Sequence, residues 1–359
     1  MKYALPLYFI VMDYNSPISY NIGGIHIRIS FTNPKVGLIC QAYFHLSQSD
    51  DYHDYEIIFI ELDRNNLASG LNPEDLIPSR AGKETMMQLT LDEGFHLFFL
   101  PDQKKVFSYF PDDIFNVGER QSGNYTRCYE NTFNDEPLPA NSWGVVSTIY
   151  WLLECLGIFR LHAAYVEYDN IHIIFPGKGA TGKTTTALNV ALNGGFLYCD
   201  DQVFLKEHDN EKVAIYPSLK KIAITDETIN FFPRLLSIKT PDNKRRHKYH
   251  FPIESIRTSK LIEPEIPEYI IFPFIMKKTD AVPYAERITS YEGFISFLQN
   301  ESLYPTVSKE NVKPRLNLIK KLANQAKIYC CYNSRDMLQN LQLLRKIILL
   351  ESISENVVS

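Results

Sequence analysis

Short apolar runs separated by polar turn residues fill the first part of the chain, and this spacing predicts β-strands. The runs alternate with clusters of Asn, Asp, Gly and Pro, and the clearest are Ile25–Ile29, Tyr55–Leu62, Met87–Leu91 and His96–Leu100. An earlier apolar run, Ala4–Met12, is interrupted by Pro6 and has no small-residue cleavage site after it. A first strand is therefore a better prediction for it than a signal peptide.

A change in composition divides the chain in two. The hydrophilic stretch Gln121–Asn141, which contains two prolines, has the character of a linker. We predict a β-rich N-terminal domain over residues 1–140, with no assigned function, and a second domain over residues 141–359.

The second domain is predicted to open with a helix and a β-hairpin. The helix has one apolar stripe, made of Val146, Ile149, Leu153 and Leu156. Two β-type runs, Leu161–Tyr168 and Ile171–Phe175, then flank Asp169-Asn170, a pair typical of a two-residue hairpin turn. Counting outward from a tight turn pairs residue 168 with 171, 165 with 174 and 162 with 177.

Later elements are predicted from the same kinds of signal. Gly194-Gly195 is expected to end a helix, and Thr289-x-x-Glu292 has the form of a capping box at the start of another. Helical spacing returns near residues 311–325 and 334–350.

A phosphate-loop motif follows the hairpin. The segment Gly177-Lys178-Gly179-Ala180-Thr181-Gly182-Lys183-Thr184 has the form G-x-x-x-x-G-K-T. Its glycines let backbone N–H groups surround a phosphate chain, and the helix that follows directs its positive end at the same phosphates. We expect Lys183 to reach the outer phosphates of ATP and the Thr184 hydroxyl to hold Mg²⁺. Thr185, on the next helix turn, belongs to the same predicted nucleotide-binding segment.

Phosphoryl transfer also needs carboxylates near the phosphates, and the chain supplies two. Asp200 and Asp201 follow the short strand Phe196–Cys199, which comes one helix and one turn after the loop. One aspartate can bind Mg²⁺, directly or through water, and the other can accept the proton of a substrate hydroxyl. The residues alone leave open which aspartate has which role.

His162 and a basic run are further candidates. The hairpin pairing places His162 opposite Gly177, where it can orient the acidic base or contact the γ-phosphate. The run Lys244–Lys248, which includes Arg245 and Arg246, is the one dense basic cluster in the sequence. It either closes over phosphates or an acidic substrate, or forms a solvated loop.

Composition limits the classes of function. A net charge of −5 argues against a nucleic-acid partner, and no apolar run approaches the roughly 20 residues that cross a membrane as a helix. Six cysteines without a disulfide framework fit a reduced, cytoplasmic setting, and nine histidines lack zinc-ligand spacing. Homo-oligomerisation stays open.

The three motifs together resemble the HPr kinase/phosphorylase superfamily. The matching segments are a His-containing strand, a phosphate loop one hairpin later and an Asp-Asp pair: Leu161–Val166, Gly177–Thr184 and Gly195–Asp201. The resemblance implies an α/β fold with a P-loop HPr kinase-like core, akin to phosphoenolpyruvate carboxykinase, that uses ATP and Mg²⁺. By position it implies Asp200 as general base, Asp201 and Thr184 as metal partners, and His162 and Lys183 as catalytic residues. Arg245 and Arg246 resemble a basic motif of some relatives.

The chain departs from true HPr kinases after Asp201. Their second signature, a Glu within an Ile-Arg-Gly-Leu-Gly-like segment, has no counterpart in Ile215–Ile224. The chain is more similar to divergent HPr kinase-like proteins, some of which accompany peptide-modifying machinery and phosphorylate a serine of a precursor peptide. We therefore predict phosphoryl transfer from ATP to a serine hydroxyl of a peptide or protein. Two alternatives stay open: a small-molecule kinase, for instance for free serine, and a nucleotide-binding regulatory protein without transfer activity.

Overall fold

The computed structural model contains two compact units, Met1–Leu152 and Leu153–Ser359, and both are mixed α/β. It describes residues 17–22, 25–43, 53–62, 86–91, 94–112, 114–115, 132–133, 136–137, 142–208, 211–217, 221–235, 243–245, 248–252, 256, 264–277, 281–300 and 302–358. Within these ranges, no helix is both long enough and apolar enough to span a membrane.

The first unit is built around one six-stranded sheet. Its described elements, with α2 ending just beyond the unit, are β1 (Ile18–Ile22), β2 (Ile25–Phe31), α1 (Pro34–Tyr43), β3 (Tyr55–Leu62), β4 (Met87–Thr90), β5 (His96–Leu100), β6 (Lys105–Pro111), β7 (Thr132–Phe133), β8 (Glu136–Pro137) and α2 (Ser142–Cys155). The strand order is β1-β2-β3-β6-β5-β4, in which β2, β3 and β6 are parallel. The small β7–β8 ladder stands apart from this sheet.

Aromatic packing explains much of the high Phe and Tyr content in this unit. The Phe95 and Phe110 rings stack with centroids 5.2 Å apart, and Phe115 meets Phe110 edge-on at 5.4 Å. A Cβ at Gly144 would lie 2.1 Å from the Phe95 ring, so the absence of a side chain there lets α2 pack closely against Phe95.

The four strands predicted among the described residues of this unit are present as β2, β3, β4 and β5, but β1, β6 and α1 were not predicted. This helix begins at Pro34, and Asn33 Oδ1 accepts a hydrogen bond of 2.9 Å from the Lys35 N–H. Asn and Pro favour helix starts as well as turns, so the pair did not distinguish the two. The predicted strand Ala4–Met12 lies outside the described residues, as does most of the predicted linker.

The second unit has a main sheet, two small sheets and five helices among its described residues. In chain order the strands are β9 (Phe159–Leu161), β10 (Ala163–Tyr168), β11 (Ile171–Pro176), β12 (Phe196–Cys199), β13 (Val203–Glu207), β14 (Val213–Pro217), β15 (Lys221–Thr225), β16 (Asn243–Arg245), β17 (Lys248–Pro252), β18 (Tyr269–Ile275), β19 (Tyr284–Ile288) and β20 (Lys327–Asn333). The helices are α3 (Lys183–Leu192), α4 (Asp226–Phe231), α5 (Ser290–Gln299), α6 (Val312–Gln325) and α7 (Met337–Val358).

Strand directions in the main sheet bring four strand ends to one edge. The order is β12-β10-β11-β18-β20-β19, and β11, β18 and β20 are parallel. β10 is antiparallel to both β11 and β12, so β12 has the same direction as β11. The carboxyl ends of β12, β11, β18 and β20 therefore share an edge, which is where open α/β sheets bind ligands. The small sheets have the orders β14-β13-β9 and β15-β17-β16.

The β10–β11 hairpin has the predicted register. Ala163 pairs with Pro176, and the pairing continues without a shift to Tyr168 and Ile171. Asp169 and Asn170 have φ values of 52° and 62°, as a type I′ turn requires. The Gly177 N–H donates to the His162 carbonyl at 3.2 Å, which continues the same count to the first residue of the loop. The prediction that His162 lies opposite Gly177 is confirmed.

Other predicted boundaries agree with the structure to within a few residues, except that the last helix extends to Val358 rather than 350. α3 ends at Leu192, two residues before Gly194, which has a φ of 110°. The capping box of α5 is present, with Thr289 and Glu292 exchanging hydrogen bonds. The last predicted helix begins at Met337 rather than 334, because Asp336 caps it: its Oδ1 accepts hydrogen bonds from the Leu338 and Gln339 N–H groups.

Candidate active site

The segment between β11 and α3 has the conformation of a tight loop held by its own hydrogen bonds. The Lys178 carbonyl accepts from the Thr181 hydroxyl at 3.0 Å and from Lys183 Nζ at 2.9 Å. Gly182 has a φ of 101°, and a Cβ there would lie 3.0 Å from the Ile275 side chain. Glycine is therefore favoured at this position by both its backbone angle and the close approach of β18. Ala180 also has a left-handed φ of 65°.

Lys183 begins α3 and is 6% exposed. Its ammonium group returns to the loop, where it binds the Lys178 carbonyl. The first turn of a helix leaves backbone N–H groups without helical acceptors, so the loop and this turn together offer donors for an anion.

Asp200 lies against the loop helix. It follows β12, is 3% exposed, and both of its carboxylate oxygens accept the Thr184 hydroxyl, at 2.9 and 3.0 Å. Burial raises the pKa of Asp200 to about 6, and the neighbouring Asp201 carboxylate adds to the rise. The Thr184 hydrogen bond and the charges of Lys183 and His162 favour the ionised form and limit the rise in pKa.

Asp201 points into a different environment, although it is the next residue. Its side chain is 60% exposed, and Oδ1 lies 2.8 Å from His162 Nε2. An ionised carboxylate can only accept, so His162 donates through Nε2–H in this pair. Asp201 has a φ of 74°, an uncommon conformation for a residue other than glycine, and this turn directs the two carboxylates toward different partners.

Tyr304 contacts both Asp201 and His162, and it was not predicted from the sequence. Its hydroxyl donates to the Asp201 carbonyl at 3.2 Å and lies 3.4 Å from Asp201 Oδ2. Its ring lies 5.5 Å from the His162 ring, with the Arg160 guanidinium 5.1 Å from its centroid. Tyr304 follows the loop by more than a hundred residues in an irregular segment, so no periodicity or motif marked it.

The segment that carries Tyr304 is anchored on both sides. The His162 N–H donates to the Ser302 carbonyl at 2.7 Å, and the Arg315 guanidinium donates to the Tyr304 carbonyl. Buried Glu154 accepts the Val307 N–H at 2.9 Å. Desolvation by burial raises the pKa of Glu154, and its hydrogen bonds to backbone N–H groups oppose that rise.

The structure therefore brings most of the predicted residues together. The loop, Asp200, Asp201 and His162 form one site at the carboxyl edge of the sheet. The Thr185 hydroxyl lies 3.1 Å from the Thr228 hydroxyl of α4, so its side chain contacts protein. For the basic cluster, the backbone of β16 pairs with β17 and ends at Arg245. The Arg245 side chain and the whole of Arg246 lie outside the described residues, and their predicted role stays a prediction.

The oxygen atoms at Thr184 and Asp200 suit Mg²⁺, which typically binds one or two carboxylates together with substrate phosphates and water. In the described part of the chain, no three His, Cys, Asp or Glu side chains form a metal-binding group. An all-protein cage is thus lacking there, and a metal at Thr184 would need phosphate oxygens as further ligands.

Comparisons with known proteins add little to this geometry. No family model and no curated protein match the chain. Among solved structures it is similar to the HPr(Ser) kinase/phosphatase from Coxiella burnetii, with 13% sequence identity and a TM-score of 0.31. The match covers 55% of this chain and 95% of that one. A TM-score this low carries no argument about function.

Proposed function

We propose that this protein transfers the γ-phosphoryl group of ATP to a serine hydroxyl of a peptide or protein. The observation that carries the proposal is the pair of carboxylate contacts beside the loop, Asp200 with Thr184 and Asp201 with His162. A glycine-rich turn with a purely structural role needs neither contact. Phosphoryl transfer uses both, since it requires a metal partner and a group that positions the attacking hydroxyl.

The phosphate side of the site consists of the loop, Lys183, Thr184 and Asp200. Thr184 and Asp200 would hold Mg²⁺, which when bound neutralises charge on the transferring phosphates. Lys183 would exchange its Lys178 carbonyl partner for the outer phosphates and stabilise the charge that develops there.

The acceptor side consists of Asp201, His162 and Tyr304. The Asp201 carboxylate is the more accessible of the two, and the His162 hydrogen bond fixes its orientation. In the proposed step the serine oxygen bonds to the γ-phosphorus, the bond to the bridging oxygen breaks, and ADP leaves. The serine proton passes to Asp201.

This assignment is the reverse of the one implied by the family resemblance, in which Asp200 is the base. Two features support the reversal. Both Asp200 oxygens already accept the Thr184 hydroxyl, and the residue is 3% exposed, so a substrate hydroxyl has poor access to it. Asp201 has the exposure and the histidine partner that a base requires.

Transfer of labelled phosphate tests the proposal directly. The protein is incubated with γ-labelled ATP, Mg²⁺ and serine-containing peptides, including any small precursor peptide encoded beside its gene, and with free serine in parallel. We expect label on a peptide serine, and a loss of at least about 100-fold in Lys183→Ala and Asp201→Asn. Asp169→Asn, in the exposed hairpin turn, is the matched control and should retain activity.

The other outcomes are equally informative. Label on free serine alone would contradict the peptide acceptor and favour a small-molecule kinase. Tight ATP binding without transfer to any acceptor, unchanged in Asp201→Asn, would favour a nucleotide-binding regulatory protein.

A further inference from the structure

A cleft opens beside the phosphate loop within the Leu153–Ser359 unit. Gly182 and Thr185, at the start of α3, form the wall next to the loop. A molecule whose phosphates lie on the loop would therefore have its remaining part beside or inside this cleft.

The strand order places this cleft and the two carboxylates on opposite flanks of β11. Asp200, Asp201 and His162 come from β12 and the start of β10, on one side of the loop strand. The cleft takes Ile275 from the end of β18 and Asn333 from the end of β20, on the other side. The acceptor-side residues therefore lie on the other side of β11 from the cleft, and the β18–β20 side can receive the nucleoside part of ATP.

Part of the cleft wall is rigid. Asn333 Nδ2 donates to the Thr186 hydroxyl at 3.0 Å, and Asn340 exchanges hydrogen bonds of 2.9 Å with the backbone of Ser334. These polar atoms are occupied within the protein, so they hold the shape of the wall. Phe231 and Ile275 supply apolar surface to the same cleft.

Two charged side chains at the cleft are available to a ligand. Arg335 and Glu227 are both exposed lining residues, and neither forms an ion pair with any residue the structure describes. A guanidinium fork suits phosphate or ribose oxygens, and a carboxylate accepts hydrogen bonds from hydroxyl or exocyclic amino groups. Apolar walls with a few polar groups of this kind are typical of sites for a planar base and its sugar.

We propose that this cleft is the nucleoside subsite of the donor, with the base against Phe231 and Ile275 and with Arg335 and Glu227 contacting the sugar–phosphate part. The proposal rests on the proposed function, because it takes the loop to bind the phosphates. It adds that the protein selects a nucleoside triphosphate over an inorganic polyphosphate and names the residues that make the selection.

Calorimetric titration of ATP and of inorganic tripolyphosphate, each with Mg²⁺, tests this inference. We expect the wild type to bind ATP at least about tenfold more tightly, because base–aromatic stacking alone is worth about that factor. Phe231→Ala should lower ATP affinity about tenfold and leave tripolyphosphate affinity within about twofold. Tyr291→Ala, which truncates an aromatic side chain that is 73% exposed on α5, is the matched control and should change neither affinity.

Arg335→Gln provides a second test at an exposed position, where misfolding is not a concern. We expect it to lower ATP affinity several-fold, with Lys320→Gln on the exposed surface of α6 as its control. Equal affinity of the wild type for ATP and tripolyphosphate would overturn the nucleoside subsite while leaving the phosphate loop intact. A preference for ATP that survives both variants would also overturn it. Binding of neither compound would contradict the proposed function itself, and the subsite with it.

Discussion

Replacing Asp200 with Asn should stabilise the metal-free protein while removing the carboxylate that we propose holds Mg²⁺. The Asp200 carboxylate is 3% exposed and is repelled by the charge of the neighbouring Asp201 carboxylate, so the ionised form of Asp200 destabilises the folded protein. Asn has nearly the same shape and keeps an oxygen that can accept the Thr184 hydroxyl. It carries no charge to desolvate.

The size of the effect follows from the pKa of Asp200, which is raised from 3.8 to about 6. A rise of about two pKa units corresponds to about 3 kcal/mol at pH 7, where the carboxyl is ionised in both states. The folded protein binds more protons than the unfolded chain between about pH 4 and pH 6, so its stability falls as the pH rises through this window. At pH 5 roughly half of the destabilisation that the ionised Asp200 carboxylate causes at pH 7 is absent.

We therefore expect Asp200→Asn to raise the free energy of unfolding of the second unit by about 1–3 kcal/mol at pH 7. Between pH 7 and pH 5 the wild type should gain roughly 1 kcal/mol that the variant does not. Both tryptophans, Trp143 and Trp151, lie in the first unit, so tryptophan fluorescence is not a specific probe of the second. Hydrogen exchange of α3 amide groups, without nucleotide or metal, is the appropriate measurement.

Asp201→Asn is the matched control, because its carboxylate is 60% exposed and its replacement should change stability far less. The reasoning would be refuted if Asp200→Asn had the same stability as the wild type at pH 7, or a lower one, with an unchanged difference between pH 7 and pH 5.

Three further outcomes follow from the same geometry. Tyr304→Phe keeps the ring beside His162 but removes the hydroxyl that donates to the Asp201 carbonyl. We expect kcat to fall about tenfold while the KM for ATP stays unchanged. A matching change in KM would contradict the positioning role of Tyr304. Gly182→Ala forces a side chain into a left-handed conformation and against Ile275, so ATP affinity should fall about tenfold and stability by about 1–2 kcal/mol, measured by calorimetry and unfolding. The value of kcat/KM should fall below about pH 6, because the pKa of Asp200 is raised to about 6 and its protonation would weaken metal binding. A kcat/KM that stays constant down to pH 5 would contradict this role of Asp200.

Local signals predicted the centre of the site well. The hairpin register is set by a two-residue turn whose residues tolerate positive φ, so counting from Asp169 and Asn170 was enough to place His162 opposite Gly177. The strand Phe196–Cys199 is short and lies between Gly194-Gly195 and the two aspartates, so the sequence was enough to predict that Asp200 and Asp201 follow its carboxyl end. Which aspartate meets Thr184 depends on the positive φ of Asp201, and no sequence pattern encodes that angle.

The remaining parts of the site depend on contacts that are distant in sequence. Tyr304 reaches Asp201 only because buried Glu154 and His162 anchor its segment. Arg335 and Phe231 meet at one cleft because β20 and α4 lie near the loop in the folded chain, and the order β11-β18-β20 cannot be counted from periodicity. In the first unit, α1 was missed for a local reason, since Asn33 and Pro34 are compatible with both a turn and a helix start.

The different roles of the two carboxylates can be separated by the Mg²⁺ dependence of ATP binding in Asp200→Asn and Asp201→Asn, measured by titration calorimetry alongside phosphoryl transfer. We expect Asp200→Asn to lose the gain in ATP affinity that Mg²⁺ confers. Asp201→Asn should keep that gain and yet fail to transfer phosphate. Loss of the Mg²⁺ effect in Asp201→Asn alone, or full transfer activity in both variants, would contradict the division of the site into a metal-binding and a proton-accepting carboxylate.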